Sequence, residues 1–486
     1  MSEEIKSLKP SEIWENFYGL TQVPRPSKHE AKVTEFVRKF GEKLGLKTTV
    51  DHAGNVIIRK PATPGMENRK PIVLQAHLDM VPQKNSETAH DFEKDPIDAY
   101  IDGEWVRARG TTLGADNGIG AAAIMGVLAS KTLKHGPLEG LFTIDEETGM
   151  TGAIELSPNA LKGEILLNLD SETEGEIYVG CAGGLDGTLK IPVEVERVSR
   201  DRAGVAIAIT GLKGGHSGMD IILGRANSIK LMARLLVHLQ RYDARIVSIE
   251  GGSLRNAIPR EAFCTLAIPT TKLSRFKTAA TELVERIKEE YKAVDPNLSI
   301  TLKDTVVKGE KCFTAHTHLA SMQAVLGIPN GVIRMSDAMP GLVETSSNLA
   351  SLRVERNRVI CQCLLRSSVE SAKQALAEEM GGVVELAGGN ASFDNGYPGW
   401  NPNMNSPILK TMREVYEHEY KKKPAIMAIH AGLECGILGG SYPKMDMISF
   451  GPTIMSPHSP DERVKIDTVG KFWDFLCKIL ENSPKK

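Results

Sequence analysis

Three apolar segments of this chain each run directly into acids or an imidazole, and that pattern narrows the choice of fold most. Pro71-Ile72-Val73-Leu74 leads to His77 and Asp79, Leu138 to Ile144 ends in Asp145-Glu146-Glu147, and Glu164 to Leu169 ends in Asp170. Between the first two lies a glycine-rich loop, Gly114-Ala115-Asp116-Asn117-Gly118, opening a small-residue helix over Ile119 to Ser130. Continuous apolar runs that alternate with helices predict buried strands of an α/β sheet with helices on both faces. In such sheets, sites collect beyond the carboxyl ends of the strands, which is where the acids fall.

Other local signals extend this reading. Ser27-Lys28-His29-Glu30 has the form of a capping box, opening a helix with Val33, Phe36, Val37, Phe40 and Leu44 on one face. Asn55 to Arg59 predicts a strand. From about residue 188 the pattern changes. Leu189–Val193 and Val205–Ile209 predict antiparallel strands, and Ala262–Ile268, Val332–Arg334 and Val359–Leu364 predict further strands, with amphipathic helices over Ala226–Arg241 and Leu273–Ala293. The Gly-rich stretch from Ala387 to Pro402 reads as turns marking the return to the first domain. Ser406-Pro407 then reads as an N-cap followed by an N1 proline. The expectation is an α/β domain with a mixed sheet flanked by helices, over 1–187 and 394–486. An inserted α+β domain over 188–393 interrupts it.

Bulk properties exclude several function classes. A formal charge of −2 over 486 residues gives no basic surface for nucleic acid or anionic membrane. The start of the chain lacks the apolar segment of a secretory signal, and Ile119 to Ala129 is too short to span a bilayer, so a cytoplasmic location is expected. Seven scattered cysteines without a CxxC suit reduced core thiols. The glycines of 114–120 lack the Gly-Lys-Ser/Thr ending of a phosphate loop.

Five residues at strand ends or in loops are candidate metal ligands: His77, Asp116, Glu147, Asp170 and His458. Two imidazoles and three carboxylates suit zinc, with cobalt or manganese as alternatives. They serve two divalent ions if Asp116 bridges, its flanking glycines permitting close approach. Asp79, two residues from His77, is placed to orient that imidazole. Glu146 is a candidate general base for a water lying between the ions. His216, within Gly214-Gly215-His216-Ser217-Gly218, is a candidate oxyanion stabiliser.

The segments AHLDMVP, GTTLGADNGIGAA, DEETGMTGA, LLNLDSE, GLKGGHSGMD, GGSLRNAIPREAF, HAGLECG and SFGPTIMSPHSPDE follow one another along the chain. Together they resemble the di-zinc metallopeptidase family of aminoacylases and glutamate carboxypeptidases, and within it the bacterial aminoacyl-histidine (Xaa-His) dipeptidase branch. The resemblance implies that His77 and Asp170 hold one ion and Glu147 and His458 the other, with Asp116 shared and the Asp116-Asn117 bond cis. It implies that Asn256, Arg366, His430 and Glu434 bind substrate. It further implies hydrolysis of unblocked dipeptides ending in histidine, β-alanyl-histidine among them, by a homodimer formed through the inserted domain.

Overall fold

The segment after Pro71 forms the strand Ile72–His77, buried at every position. The computed structural model describes residues 3–486, which fall into two units, the first comprising residues 3–180, Trp400–Ala428 and Leu433–Lys486 and the second Cys181–Gly399 with Ile429–Gly432. In the first unit, Ile72–His77 pairs in parallel with Leu138–Thr143 on one side and Ile165–Asn168 on the other. Asp446–Ser449 adds a further parallel strand beside Ile165–Asn168. Lys47–Val50 and Val56–Lys60 extend the sheet in antiparallel fashion, and Glu176–Cys181 and Ala425–Ile429 complete eight strands.

Register decides what this sheet presents at its end. His77 lies opposite Thr143, and Gln75 lies opposite Asn168. The three parallel strands therefore finish level, and the residues just beyond them, Asp79, Asp145–Glu147 and Asp170, emerge side by side. The crossover helix Ala115–Ala129 has almost no polar face, and all of its residues except Asp116 and Ala129 are buried. A helix that is apolar all round has to be covered on every side. A separate four-stranded sheet, Ala99–Asp102, Trp105–Ala108, Arg463–Lys465 and Ile454–Met455, carries the loop with His458. Ser456 and His458 both take positive φ there, at 55° and 60°.

The helix expected after Ser27 begins at Ala31 and runs to Lys43, burying Val33, Val37 and Gly41 at i, i+4 and i+8. Its capping box does not form. Ser27 Oγ donates to Asp79 Oδ2 at 2.8 Å, and Glu30 Oε1 accepts from the main-chain N–H groups of Lys28 and Asp145. Ser27 donates instead to a buried carboxylate, and Glu30 meets main-chain donors of its own turn and of the Asp145 loop, so neither side chain is left for the helix start. By contrast, Ser406 does cap the helix Pro407–Tyr420, accepting from Leu409 N at 3.0 Å. Ser406→Ala is expected to cost about 1 kcal/mol, read as a lowered denaturant midpoint with unchanged slope.

The second unit is built on a nine-stranded sheet, antiparallel at every pairing between its neighbours. Helices Ser228–Leu239, Leu273–Tyr291, Ala315–Gly327 and Glu370–Leu386 contribute to one apolar core with it. Residue 188 lies inside the strand Gly183–Pro192, which pairs with Arg358–Ser367 and with Asn390–Tyr397. The stretch read as turns after Ala387 is thus partly strand. Its glycines and asparagines mask an edge strand that the long neighbouring strand templates.

Candidate metal centre

Beyond the level strand ends, the side chains named from sequence converge. His77 Nε2 lies 3.1 Å from Asp116 Oδ1 and 3.3 Å from Asp170 Oδ1. His458 Nε2 lies 3.3 Å from Asp116 Oδ2 and 2.9 Å from Glu147 Oε2. Two groups of donor atoms result, His77–Asp116–Asp170 and Asp116–Glu147–His458, each within 4.8 Å and each using a different oxygen of Asp116. Glu146 joins His77 and Glu147 in a third such group.

Local structure explains how each donor arrives. Asp145, at φ 55°, turns the chain sharply after Thr143, so that neighbouring Glu146 and Glu147 both reach the same space. Asp79 fixes that turn, its Oδ1 accepting Glu146 N at 3.0 Å and its Oδ2 accepting Glu147 N at 3.2 Å. The expected Asp79–His77 relation is only part of its work. His77 Nδ1 is nearer to Asp79 O, at 3.1 Å, than to the carboxylate, at 3.4 Å. The Asp116-Asn117 peptide bond is cis, and Asn117 Nδ2 donates to Leu169 O and to Asp170 Oδ1.

The electrostatics are those of a cation site. Glu147 Oε1 is buried and has no hydrogen-bond partner among the described residues. Burial, with Asp170, Glu434 and Glu147 nearby, holds the Glu146 carboxyl well above its ordinary range. Burial would depress His77, but Asp170 and Asp116 override it and raise the imidazole. Hydrogen bonds with Asp116 and Glu147 push His458 up to about 11. A negative potential that holds protons on two imidazoles would hold divalent cations at the same lone pairs. The donor set therefore fits two such ions, of the borderline type suited to nitrogen and oxygen ligands.

A buried polar floor lies under the cluster. Glu434 Oε2 accepts from Gln75 Nε2 at 2.6 Å and from Thr143 Oγ1 at 2.9 Å, while Gln75 Oε1 accepts from Asn168 Nδ2 at 2.5 Å. Burial raises the Glu434 carboxyl to about 8. Gln75 is a polar residue in an otherwise apolar strand and Glu434 belongs to the HAGLECG segment, but no local pattern joins the two.

The remaining named residues lie in the second unit. Gly215-His216 pairs with Ala257-Ile258, and Ser217 N donates to Asn256 O at 2.8 Å, which seats Asn256 beside the His216 loop. Gly218 is enclosed by neighbours from the same group, since a Cβ there would lie 2.3 Å from His430 O, 3.1 Å from His216 Cε1 and 3.2 Å from Arg366 Nε. Burial and the Arg366 charge lower both imidazoles, His430 to about 3. Arg366 Nη1 donates to Tyr397 Oη at 3.3 Å, and His430 Nε2 lies 2.7 Å from Ser346 Oγ. These contacts form a cationic, partly buried group of neutral imidazoles around one guanidinium.

The chain combines a mixed α/β sheet with carboxylates and imidazoles clustered at its strand ends, and it belongs to peptidase family M20/M25/M40, whose profile matches residues 73–482. It is a peptide hydrolase. Over 484 residues it is 46% identical to the cytosol non-specific dipeptidase of Escherichia coli, covering 99% of this chain and 100% of that protein. The crystal structure of aminoacylhistidine dipeptidase from Vibrio alginolyticus superposes with a TM-score of 0.95 at 49% identity, covering 100% of this chain and 99% of that one. An aminopeptidase from Bacillus cereus shares the fold at TM-score 0.61 and 17% identity, over 98% and 99% of the two chains.

Proposed function

We propose that this chain is a dipeptidase dependent on two divalent ions, acting on unblocked dipeptides and preferring those with C-terminal histidine. The observation that carries the reading is the sharing of Asp116 between two donor groups, in a chain with nearly half its residues identical to a dipeptidase. His77 and Asp170 would hold one ion, Glu147 and His458 the other, and Asp116 both. The ions, when bound, would polarise the scissile carbonyl and acidify water.

The other steps fall to the chain's own groups. Glu146 would take the proton of the attacking water as its oxygen bonds to the carbonyl carbon, then return a proton to the amine nitrogen as the C–N bond breaks. Its neighbourhood of acids supports the assignment, since a carboxyl raised by burial holds a proton well enough to deliver it. Asp79 would act by holding the Glu146 and Glu147 amides still. His216 is assigned to the oxyanion, Arg366 and Asn256 to the substrate carboxylate by charge-assisted hydrogen bonds, and His430 and Glu434 to further substrate contacts. Zinc is the first choice of ion, with cobalt and manganese as alternatives. A cytoplasmic homodimer completes the proposal. No described helix is long and apolar enough to cross a membrane.

The test is a panel of free dipeptides against acetylated amino acids and tripeptides, assayed on metal-reconstituted protein. Cleavage of Xaa-His dipeptides, including β-alanyl-histidine, with acetylated amino acids left intact is the expected result. Hydrolysis of acetylated amino acids without any Xaa-His cleavage would instead define a deacylase.

A further inference from the structure

Two buried charged residues outside the donor set grip the loop of Asp116. Glu462, 2% exposed, accepts four consecutive main-chain N–H groups: Leu113 at 2.7 Å and Gly114 at 2.9 Å through Oε2, Ala115 at 2.8 Å and Asp116 at 3.2 Å through Oε1. Arg25, also 2% exposed, donates through Nη1 to Leu78 O at 2.8 Å and Asp79 O at 3.1 Å, and through Nη2 to Gly114 O. Its own main chain pairs with Met80, whose N–H reaches Arg25 O at 3.1 Å. The segment just after His77 and the loop holding Asp116 are therefore joined through a single guanidinium.

The glycines of the loop are explained by the same contacts. A Cβ on Gly114 or on Gly118 would lie 2.6 Å from Arg25 Nη2, and Gly114 has φ 70°. These glycines make room for the arginine rather than for a ligand. A carboxylate has about four acceptor positions, and Glu462 uses all of them on this one loop. A buried carboxylate and a buried guanidinium are costly to desolvate, so contacts that spend both on main-chain atoms point to placement as the gain.

We propose that Arg25 and Glu462 are positioning residues, which through the main chain set where the two carboxylate oxygens of Asp116 stand relative to His77 and His458. Neither residue contributes a donor atom to the groups. The inference rests on the two-ion reading above and deepens it, since ion affinity depends on donor placement to a fraction of an ångström. Glu462→Gln sets an amide NH2 against main-chain N–H groups and loses acceptor capacity without a change of shape. Arg25→Lys cannot reach both loops with one planar fork.

The experiment titrates metal-free wild type, E462Q and R25K with Co²⁺, following the d–d absorption, with far-UV circular dichroism as a check on folding. Turnover of a dipeptide is measured separately. Wild type is expected to take two ions. The folded variants are expected to lose ~10–100-fold in affinity for at least one ion, as supporting residues of metal sites do, with altered d–d bands. Their kcat should stay low at saturating Co²⁺, with KM within about threefold of wild type. Should E462Q not fold, R25K decides the matter by the same readings. Folded variants with wild-type affinities and spectra overturn this inference alone. Wild type that takes fewer than two ions overturns the two-ion reading and this inference with it.

Discussion

Glu146→Gln is expected to reduce kcat by ~10²–10⁴-fold, the usual worth of a positioned general base, while two ions remain bound and KM changes little. The amide keeps the size and the main-chain anchor of the wild-type residue, because the bond from Glu146 N to Asp79 Oδ1 involves no side-chain atom of residue 146. What disappears is a proton acceptor. The substitution also separates two roles, since Glu146 lies close enough to His77 and Glu147 to act as a ligand instead. A ligand role would appear as lost metal; a base role appears as a full complement of metal with slow turnover. Metal analysis and steady-state kinetics on one preparation distinguish them.

Asp116→Ala is expected to cost metal as well as rate. Each donor group would lose one member at once, because the two oxygens of this carboxylate face different imidazoles, His77 and His458. Burial alone would raise the Asp116 carboxyl, yet hydrogen bonds from His458 and His77 hold it well below the ordinary range, so it is charged and available to cations. Loss of several kcal/mol of electrophilic stabilisation corresponds to a fall of ~10³-fold or more in kcat/KM. Metal content should fall below two ions per chain, and excess metal should not restore the rate. Retention of two ions with near-normal turnover would remove Asp116 from the role of shared ligand.

How much of this was legible in the sequence depends on the range of the interaction. His77, Glu147 and Asp170 announce themselves because each follows an apolar run that ends in the same sheet layer. Residues whose meaning lies in distant partners gave little local signal. Arg25 sits in an unremarked Val-Pro-Arg-Pro stretch, yet its partners lie 53 to 89 positions away. Glu462 follows His458 closely, within a segment whose histidine drew the attention, and its four amides are about 350 positions distant. Ser27 and Glu30 matched a local motif but serve Asp79 and the loop of Asp145 instead.

The strand Val343–Glu355 was invisible for a related reason. Its first ten residues are buried although six of them are polar, so neither alternation nor an apolar run marks it. Among its polar side chains, Thr345 has a partner in Ser367 on the neighbouring strand and Asn348 in the main chain at Arg255 and Ala257. Hydrogen bonds of this kind make such burial tolerable, and a window around the strand does not contain them.

The central claim is that Asp116 lies between two cations. Anomalous diffraction at the zinc edge, from crystals of the zinc-loaded protein, addresses it without reference to turnover. Two peaks per chain are expected, one beside His77 and Asp170 and one beside Glu147 and His458, each in contact with a different oxygen of Asp116. A single peak, or a pair in which Asp116 touches only one, would contradict it.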